Sequence, residues 1–226
     1  MSPPVRVTSV GVLGDIHAED RRLACALTHL RGLSVDRVLA VGDIADGPGD
    51  FARTCELLQA ADVDAVRGNH DRWLLAGTLR DLPDALPTDA LTPAQRAYLS
   101  ALPATRTYAT PAGPLLLCHG LGDDDMRGVK PHDSGYEIDN NTALQRLIAA
   151  GAYRLVINGH THQRMVRTFG ALTIINAGTL LRVHEPCFAH CDFTSGSVQY
   201  FDLNENADGG FMAAPAGRHR LATLDG

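Results

Sequence analysis

Side chains that can bind a metal ion follow five separate apolar runs of this 226-residue chain. The most informative run ends in Gly159-His160-Thr161-His162. Two histidines at this spacing can aim nitrogen atoms at one point or at two neighbouring points, which is a metal-ligand arrangement. The other runs end in carboxylate, carboxamide or imidazole groups beside a glycine: Asp15, His17, Asp43, Asn69 and His119.

These seven residues share one position, the end of an apolar run that is typical of a strand. In open α/β sheets, ligands gather outside the carboxyl ends of the strands, so residues far apart in sequence are expected to meet there. Seven ligands are too many for one tetrahedral zinc ion, but they suit two ions that share a carboxylate. A single histidine is usually a surface or core residue, and a single Gly-Asp pair is usually a turn. Five such motifs in order favour the metal site.

Alternating strands and helices are predicted to position these ligands. Residues 5–13, 37–41 and 63–67 are apolar runs typical of strands, and amphipathic helices are predicted between them. Leu23 lies on the apolar face of the first helix, and Asp50 is expected to cap the second. This order predicts an α/β layer fold with right-handed crossovers.

The second half of the chain adds strands, a helix and two irregular segments. Residues 72–110 are predicted to form a helical excursion beside the site, in which Thr92-Pro93-Ala94-Gln95 is a capping box. Residues 121–138 form a long polar loop, and such loops are usually functional or mobile. Asn141 is predicted to cap a helix. Further strands are predicted at residues 105–108, 115–118, 155–158, 172–175, 187–193 and 198–203.

Length and composition limit the classes of protein. We expect a single domain over residues 1–203 and a poorly ordered tail over residues 204–226. The net charge of -6 argues against stable nucleic-acid binding. The sequence has no run of about 18 apolar residues, so no membrane association is expected. Five scattered cysteines and a start that is not typical of a secretory signal predict a cytoplasmic protein.

The five motifs occur in this order: Asp15-Ile16-His17, Gly42-Asp43-Ile44-Ala45-Asp46-Gly47, Gly68-Asn69-His70-Asp71, His119-Gly120 and Gly159-His160-Thr161-His162. In order and spacing they resemble the calcineurin-like metallophosphoesterases. The compact length and the closing hairpin resemble the small bacterial phosphodiesterase branch of that superfamily. The resemblance covers residues 5–203. It implies a four-layer α/β/β/α sandwich with a dimetal site at the carboxyl ends of the strands.

The resemblance also implies how the ligands are divided between two divalent ions. One ion takes Asp15, His17, Asp43 and His162, and the other takes Asp43, Asn69, His119 and His160. Asp43 is then the bridge. Manganese is favoured, and iron, zinc and nickel suit the same ligands. Such a pair lowers the pKa of a shared water, which as hydroxide attacks phosphorus. The implied enzyme hydrolyses a small phosphodiester or phosphomonoester, nucleotides included.

His70 is not needed as a ligand, although it lies next to one. We expect it to be a general acid for the leaving group, with Asp71 fixing its ring through a hydrogen bond. The alternative is structural, with Asp71 capping a helix that begins near Arg72 while His70 packs beside it.

Two segments depart from what relatives carry. Related phosphoprotein phosphatases place an arginine where this chain has Gly47-Pro48, which makes a phosphoprotein substrate less favoured. In the polar loop, Arg127, Lys130 and His132 either contact substrate phosphate or are solvated. The main alternative to an enzyme is a non-catalytic metal-binding scaffold on the same fold, and a redox dimetal enzyme is a weaker one.

Overall fold

Two six-stranded sheets form the centre of the structure, a computed structural model in which residues 4–221 are described. The strands are β1 (Val5–Arg6), β2 (Ser9–Leu13), β3 (Arg37–Ala40), β4 (Asp64–Ala65), β5 (Thr105–Thr110), β6 (Gly113–Cys118), β7 (Leu155–Asn158), β8 (Met165–Phe169), β9 (Leu172–Asn176), β10 (Cys187–Asp192), β11 (Ser197–Glu205) and β12 (Phe211–Arg220). The α-helices are α1 (Asp20–Gly32), α2 (Phe51–Ala60), α3 (Asn69–Ala76), α4 (Pro93–Ala101), α5 (Tyr136–Asp139) and α6 (Thr142–Ala150). A 3₁₀ turn spans Thr88–Ala90.

Both sheets are mixed. The first sheet has the order β12-β11-β10-β2-β3-β4, with β2, β3 and β4 parallel. The second has the order β1-β5-β6-β7-β9-β8, with β6, β7 and β9 parallel. Most of the polar motifs follow parallel strands. The carboxyl ends of these strands point to one edge of the structure, so the motifs meet there.

The alternation of side chains along each strand builds a core between the sheets. Val10 and Val12 of β2 and Leu115 and Leu117 of β6 share one buried cluster. Leu13, which points to the other face of β2, packs with residues of α1 and α2. The helix α6 covers the outer face of the second sheet in a third cluster. Each of these fully buried aliphatic side chains contributes about 1.5–3 kcal/mol of transfer free energy. The α/β/β/α layer order that the family resemblance implies is thus the observed one.

Local signals in the sequence fix three of the helices as predicted. Asp50 caps α2 by accepting a hydrogen bond from the Arg53 amide at 2.9 Å. Thr92 and Gln95 form the expected capping box of α4, and Asn141 caps α6. These contacts satisfy amide groups that have no partner inside the first helical turn.

The first predicted strand is wrong as a single element. Residues 5–13 form two strands in different sheets, since β1 pairs with β5 and β2 pairs with β3 and β10. Asp36 lies beside the crossing, where its carboxylate accepts hydrogen bonds from the Thr8 and Ser9 amides at 2.6 and 3.0 Å. The alternation of valines shifts by one position between Val7 and Val10, where the chain changes sheets, but a one-residue shift is also what a β-bulge within a single strand produces.

The helical excursion begins earlier than predicted. The excursion is predicted to start at residue 72, but its first helix, α3, starts at Asn69. α3 ends at Ala76, and Gly77 caps it in the left-handed conformation with φ of 68°. The change matters for the site, because Asn69 and His70 occupy the first turn of α3.

The tail predicted to be poorly ordered from Asn204 is wrong for its described part. β11 continues to Glu205, and β12 pairs with it antiparallel over residues 211–220. Phe211 lies under the Arg22 guanidinium at 4.4 Å, so contacts with α1 stabilise a strand of low hydrophobicity. Residues 222–226 lie outside the described part of the chain. The strand β8, which pairs with β9, was not predicted. Among residues 4–221, no helix is both long and apolar enough to cross a bilayer.

Candidate metal centre

Four of the predicted ligands form a compact group that we call the first ligand set: Asp15, His17, Asp43 and His162. One ligand atom from each lies within 4.8 Å of the others. His162 Nε2 is 3.2 Å from Asp15 Oδ2 and 3.1 Å from His17 Nε2. The loops after β2, β3 and β7 therefore bring three strand ends to one point, as expected from the sequence.

The remaining predicted ligands are connected to Asp43 through His119, and with Asp43 they form the second ligand set: Asp43, Asn69, His119 and His160. His119 Nε2 is 3.3 Å from Asp43 Oδ2 and 2.8 Å from Asn69 Oδ1. His160 Nδ1 is 3.1 Å from the same Asn69 oxygen. All seven side chains are thus brought together, with Asp43 adjacent to both groups.

The backbone at the ligands is unusual. His17, Asp43, His160 and His162 have φ values of 48°, 46°, 65° and 59°, in the left-handed region that residues with a Cβ rarely adopt. Such conformations cost on the order of 1–3 kcal/mol each and cluster at functional sites, where the surrounding structure imposes them. These strained conformations lower the stability of the fold, and they direct the side chains of the predicted ligands towards the centre.

Close packing holds each carboxylate by one oxygen. The His70 amide donates to Asp43 Oδ1 at 2.8 Å, and the His160 amide donates to Asp15 Oδ1 at 3.1 Å. A Cβ atom at Gly159 would overlap Asp15 Oδ1, so that position requires glycine. The second oxygen of each carboxylate is left to face the centre. Asp15 Oδ2 is buried and has no hydrogen-bond partner among the described residues.

The donor set fits metal cations. His17 Nδ1 donates to the Asp46 carbonyl at 2.6 Å, and His119 Nδ1 donates to the Val41 carbonyl at 2.9 Å. In the neutral rings, Nε2 therefore carries a lone pair, and in both residues it faces Asp43 Oδ2. Lone pairs that converge in a buried site require a proton or a cation between them.

The pKa values also indicate that the buried site needs a positive charge. Burial raises the pKa of Asp15 to about 7, although the charge of His119 opposes the rise. Burial lowers the pKa of His119, but the charges of Asp43 and Asp15 outweigh it and raise this pKa to about 10. Without another cation, the cluster recruits a proton to offset its buried negative charge.

His70 lies at the edge of the first ligand set, and its ring is fixed by Asp46 rather than by Asp71. His70 Nδ1 is 2.9 Å from Asp46 Oδ2, and the ring centroid is 4.9 Å from that of His17. Burial lowers the pKa of His70, but the hydrogen bond to Asp46 and the charge of Asp43 raise it above its usual value. The imidazole side chain is 22% exposed, so a substrate bound at the centre can reach it from solvent.

Asp71 has a different position from the one predicted. Its Oδ1 accepts from the Ile44 and Ala45 amides at 2.9 and 3.0 Å, and its Oδ2 accepts from the Gly68 amide at 2.9 Å. It is fully buried. The prediction that Asp71 orients His70 is wrong, because its oxygens are occupied by backbone amides. Asp71 instead ties the loop after β3 to the start of α3.

Arg80 is a site residue that sequence reasoning missed. Its Nη1 and Nη2 donate to the two Asp46 oxygens at 2.8 and 2.9 Å. The chain thus places an arginine at Asp46 from the excursion, although Gly47-Pro48 occupies the position where relatives carry one. The available signal was a basic residue in a segment expected to lie beside the site, which does not identify its partner.

The comparisons with known proteins agree with this geometry. The profile of the calcineurin-like phosphoesterase superfamily domain matches residues 9–196. No curated protein matches the chain. Among solved structures, the hypothetical protein PH1004 of Pyrococcus horikoshii OT3 is 17% identical with a TM-score of 0.71, covering 88% of this chain and 89% of its own.

Two further structures share the fold. A novel archaeal phosphodiesterase is 16% identical with a TM-score of 0.57, covering 86% of this chain and 99% of its own. Vps29 of Chaetomium thermophilum is 15% identical with a TM-score of 0.56, covering 95% of this chain and 99% of its own. At these identities the likeness concerns the fold, and the family assignment rests on the matched domain profile. The chain belongs to the calcineurin-like phosphoesterase superfamily.

Proposed function

We propose that the protein is a phosphoesterase that depends on two divalent metal ions and hydrolyses a small phosphodiester or phosphomonoester. The observation that carries the proposal is the convergence of two ligand sets on Asp43 within a phosphoesterase superfamily domain. A site that bound a single ion would need only one of these sets.

The ligand sets would hold the two ions side by side. Asp15, His17 and His162 would bind one ion, Asn69, His119 and His160 would bind the other, and Asp43 would bridge them. When bound, a metal pair holds the phosphoryl oxygens and lowers the pKa of water to a value near neutrality. Manganese is the proposed ion, because oxygen and imidazole ligands without thiolate suit it, as they also suit iron, zinc and nickel.

His70 would supply the proton that hydrolysis requires. The reaction forms a P–O bond from water and breaks the P–O bond to the leaving alcohol, which must take up a proton. His70 is partly exposed beside the first ligand set, and its raised pKa keeps it protonated at higher pH than an ordinary histidine. Asp46 orients the ring, and Arg80 holds Asp46.

The chemistry of the cysteines supports a reducing compartment. All five are free thiols, and four are buried. Buried reduced thiols are usual in cytoplasmic proteins, so we propose this location for the enzyme.

The alternative is a non-catalytic scaffold that uses the same cleft to bind a metal or a partner. The observation that favours this alternative is the similarity of fold to Vps29, whose name states no phosphoesterase activity. The complete ligand set favours the enzyme, since a scaffold has no need to keep all seven side chains at one centre, four of them on strained backbone.

The test is hydrolysis of bis(p-nitrophenyl) phosphate and p-nitrophenyl phosphate by protein stripped with a chelator and reloaded with manganese. We expect turnover only in the reloaded protein. If protein with a full metal load hydrolyses neither ester nor alkyl phosphodiesters, the scaffold becomes the better explanation.

A further inference from the structure

A cleft of about 520 Å³ opens beside the second ligand set, between the polar loop and the end of β7. We call it the 126–141 cleft. His160 and Thr161 form its inner end, and the loop together with α5 forms its wall. This volume is within the range of pockets that bind small organic ligands, about 300–1,000 Å³. A group attached to phosphorus at the centre could therefore extend into it.

The wall is a built structure rather than a solvated loop. Val129 is fully buried in the core cluster beneath the second sheet. Arg72 donates to both oxygens of Asp125 at 2.6 and 2.8 Å, which ties the loop to α3. Arg167 donates to the Lys130 carbonyl at 2.8 Å. The backbone of the loop is therefore held at both sides of the cleft.

The side chains that face the cleft are uncommitted. Within the described part of the chain, those of Arg127, Lys130, Tyr136 and Glu137 make no hydrogen bond or ion pair. Tyr136 is 79% exposed and Met126 is 47% exposed, although both are large apolar side chains. The cleft thus offers an aromatic face, a thioether, two cations and the Glu137 carboxylate, none of them used by the fold. A second carboxylate, that of Asp133, also lines the cleft and accepts a hydrogen bond from the Lys130 amide at 2.8 Å.

This combination matches a nucleoside better than a plain alkyl group. A nucleobase has a flat face for stacking on Tyr136, and its edge has donors and acceptors for Glu137 and Arg127. Arg127 and Lys130 can contact the negative charge of the ester, and they also offset the carboxylates of Asp133 and Glu137 in the lining. A simple alkyl group would leave the polar groups of the cleft without partners.

The position of the cleft indicates which part of the ester it binds. His70 contacts His17 of the first ligand set, whereas the cleft contacts His160 of the second. If His70 protonates the leaving alcohol, that alcohol departs on the side of the first set. The cleft is then left for the group that stays on phosphorus.

We propose that the 126–141 cleft binds a nucleoside that remains esterified to phosphorus, so that the substrate is a nucleotidyl phosphodiester. This inference rests on the proposed phosphoesterase function. Tyr136 would stack on the base, and Met126 would pack against it. Neither residue would take part in breaking the P–O bond.

Two substrates with one leaving group test the proposal. Thymidine 5′-(p-nitrophenyl phosphate) and methyl p-nitrophenyl phosphate both release p-nitrophenolate and differ only in the retained group. We expect kcat/KM to be at least about 10-fold higher for the thymidine ester, which corresponds to about 1.4 kcal/mol of stacking free energy. Equal values for the two esters would overturn the proposal.

Variants locate the effect. Tyr136→Ala should reduce the ratio of the two kcat/KM values about 10-fold, and Tyr136→Phe, which keeps the ring, should retain it. Met126→Ala should reduce the ratio less. Met212→Ala is the matched control, because Met212 is 55% exposed on β12 and lies outside the lining of the cleft. A ratio that falls equally in the control would contradict the assignment.

Binding without turnover separates this proposal from the proposed function. Thymidine 5′-monophosphate and methyl phosphate are titrated into the metal-loaded protein and followed by calorimetry. Tighter binding of the nucleotide, lost in Tyr136→Ala, supports the cleft even if neither ester is hydrolysed. Equal binding of both ligands rejects the nucleoside site even if the protein hydrolyses aryl phosphates.

Discussion

The two ligand sets share Asp43 but differ in how far they satisfy themselves. In the first set, Asp15 Oδ2 has no hydrogen-bond partner among the described residues, and the Nε2 atoms of His17 and His162 face each other at 3.1 Å. In the second set, Asn69 Oδ1 lies within hydrogen-bond distance of two imidazoles, those of His119 and His160. The first set has the stronger need of a cation, because among the seven side chains only its Asp15 Oδ2 is a buried atom without a hydrogen-bond partner in the described part of the chain.

The difference predicts that the two ions bind with unequal affinity. An ion entering the first set gives Asp15 Oδ2 the partner that it lacks. An ion entering the second set must displace the proton of His119, whose pKa is raised to about 10 and whose Nε2 lies 2.8 Å from Asn69 Oδ1. The first set should therefore fill at lower metal concentration, and the second should limit activity when metal is scarce.

The largest effect is expected at the residue that both sets share. Asp43→Asn removes the bridging charge, so the protein should lose its tightly bound metal pair and its kcat/KM on bis(p-nitrophenyl) phosphate should fall at least about 1,000-fold. Metal content by elemental analysis and initial rates measure the two effects together. A variant that keeps two ions and near-normal rates would show that Asp43 is not the bridge.

The next largest effect is expected at His70, the proposed proton donor to the leaving group. His70→Asn should lower kcat about 100- to 10,000-fold on an alkyl phosphodiester, whose leaving group needs a proton. The same change should have little effect on release of p-nitrophenolate, a good leaving group. Equal losses on both substrates would assign His70 to binding instead of proton transfer.

Single-ligand variants separate the sets directly. His162→Ala should weaken the tighter of the two metal-binding steps, and Asn69→Ala should weaken the looser one, each by about 10- to 100-fold. Calorimetric titration of the metal-free proteins with manganese resolves the two steps. If both variants weaken the same step, the division of ligands is incorrect.

A smaller effect is expected for Arg80, which touches neither set. Arg80→Met removes both donors to Asp46 and should lower kcat on an alkyl phosphodiester about 10-fold, while leaving the metal stoichiometry unchanged. Arg96→Met is the matched control, since Arg96 donates only to backbone carbonyls of the excursion. Loss of metal in Arg80→Met would show that the excursion supports the ligands and not only His70.

The smallest effect is expected for Asp36, which lies at the end of β3 opposite to Asp43. Asp36 precedes β3 and Asp43 follows it, but only Asp43 faces the centre. Hydrogen bonds from Thr8 and Ser9 hold the pKa of Asp36 below its usual value. Asp36→Ala should lower the free energy of unfolding by about 0.5–1 kcal/mol at neutral pH without changing metal binding.

The pH dependence of that loss has a definite sign. A carboxylate whose pKa is lowered by folding stabilises the protein above its unfolded pKa, and the contribution is lost as the pH falls through the folded pKa. The difference between wild type and Asp36→Ala in urea denaturation should therefore shrink towards low pH. A difference that grows on acidification would contradict the role of the carboxylate.

The convergence of the seven side chains could be predicted from the sequence because each follows a strand, and strand ends of an α/β sheet converge. His119 and Asp43 are far apart in sequence, yet the rule alone brings them together. Side-chain partners around the ligands follow no such rule. Asp71 is adjacent to His70 in sequence, but the helical turn aims it at the backbone after β3, and Asp46 reaches the ring instead.

The remaining errors in the fold have a related cause. The apolar alternation in residues 5–13 shifts by one position between Val7 and Val10, and this shift alone does not distinguish a bulge in one strand from two strands in different sheets. Phe211–Arg220 is weakly apolar, and its strand depends on pairing with β11 and on contact with α1. Tertiary contacts decide both cases, and local patterns do not contain them.

The most direct test of the account is a manganese titration of the metal-free protein followed by electron paramagnetic resonance. Two ligand sets joined by Asp43 predict two ions per chain at saturation, with a spin-coupled signal that appears as the second ion binds. A single ion per chain, or two ions whose signals remain uncoupled, would contradict the shared centre.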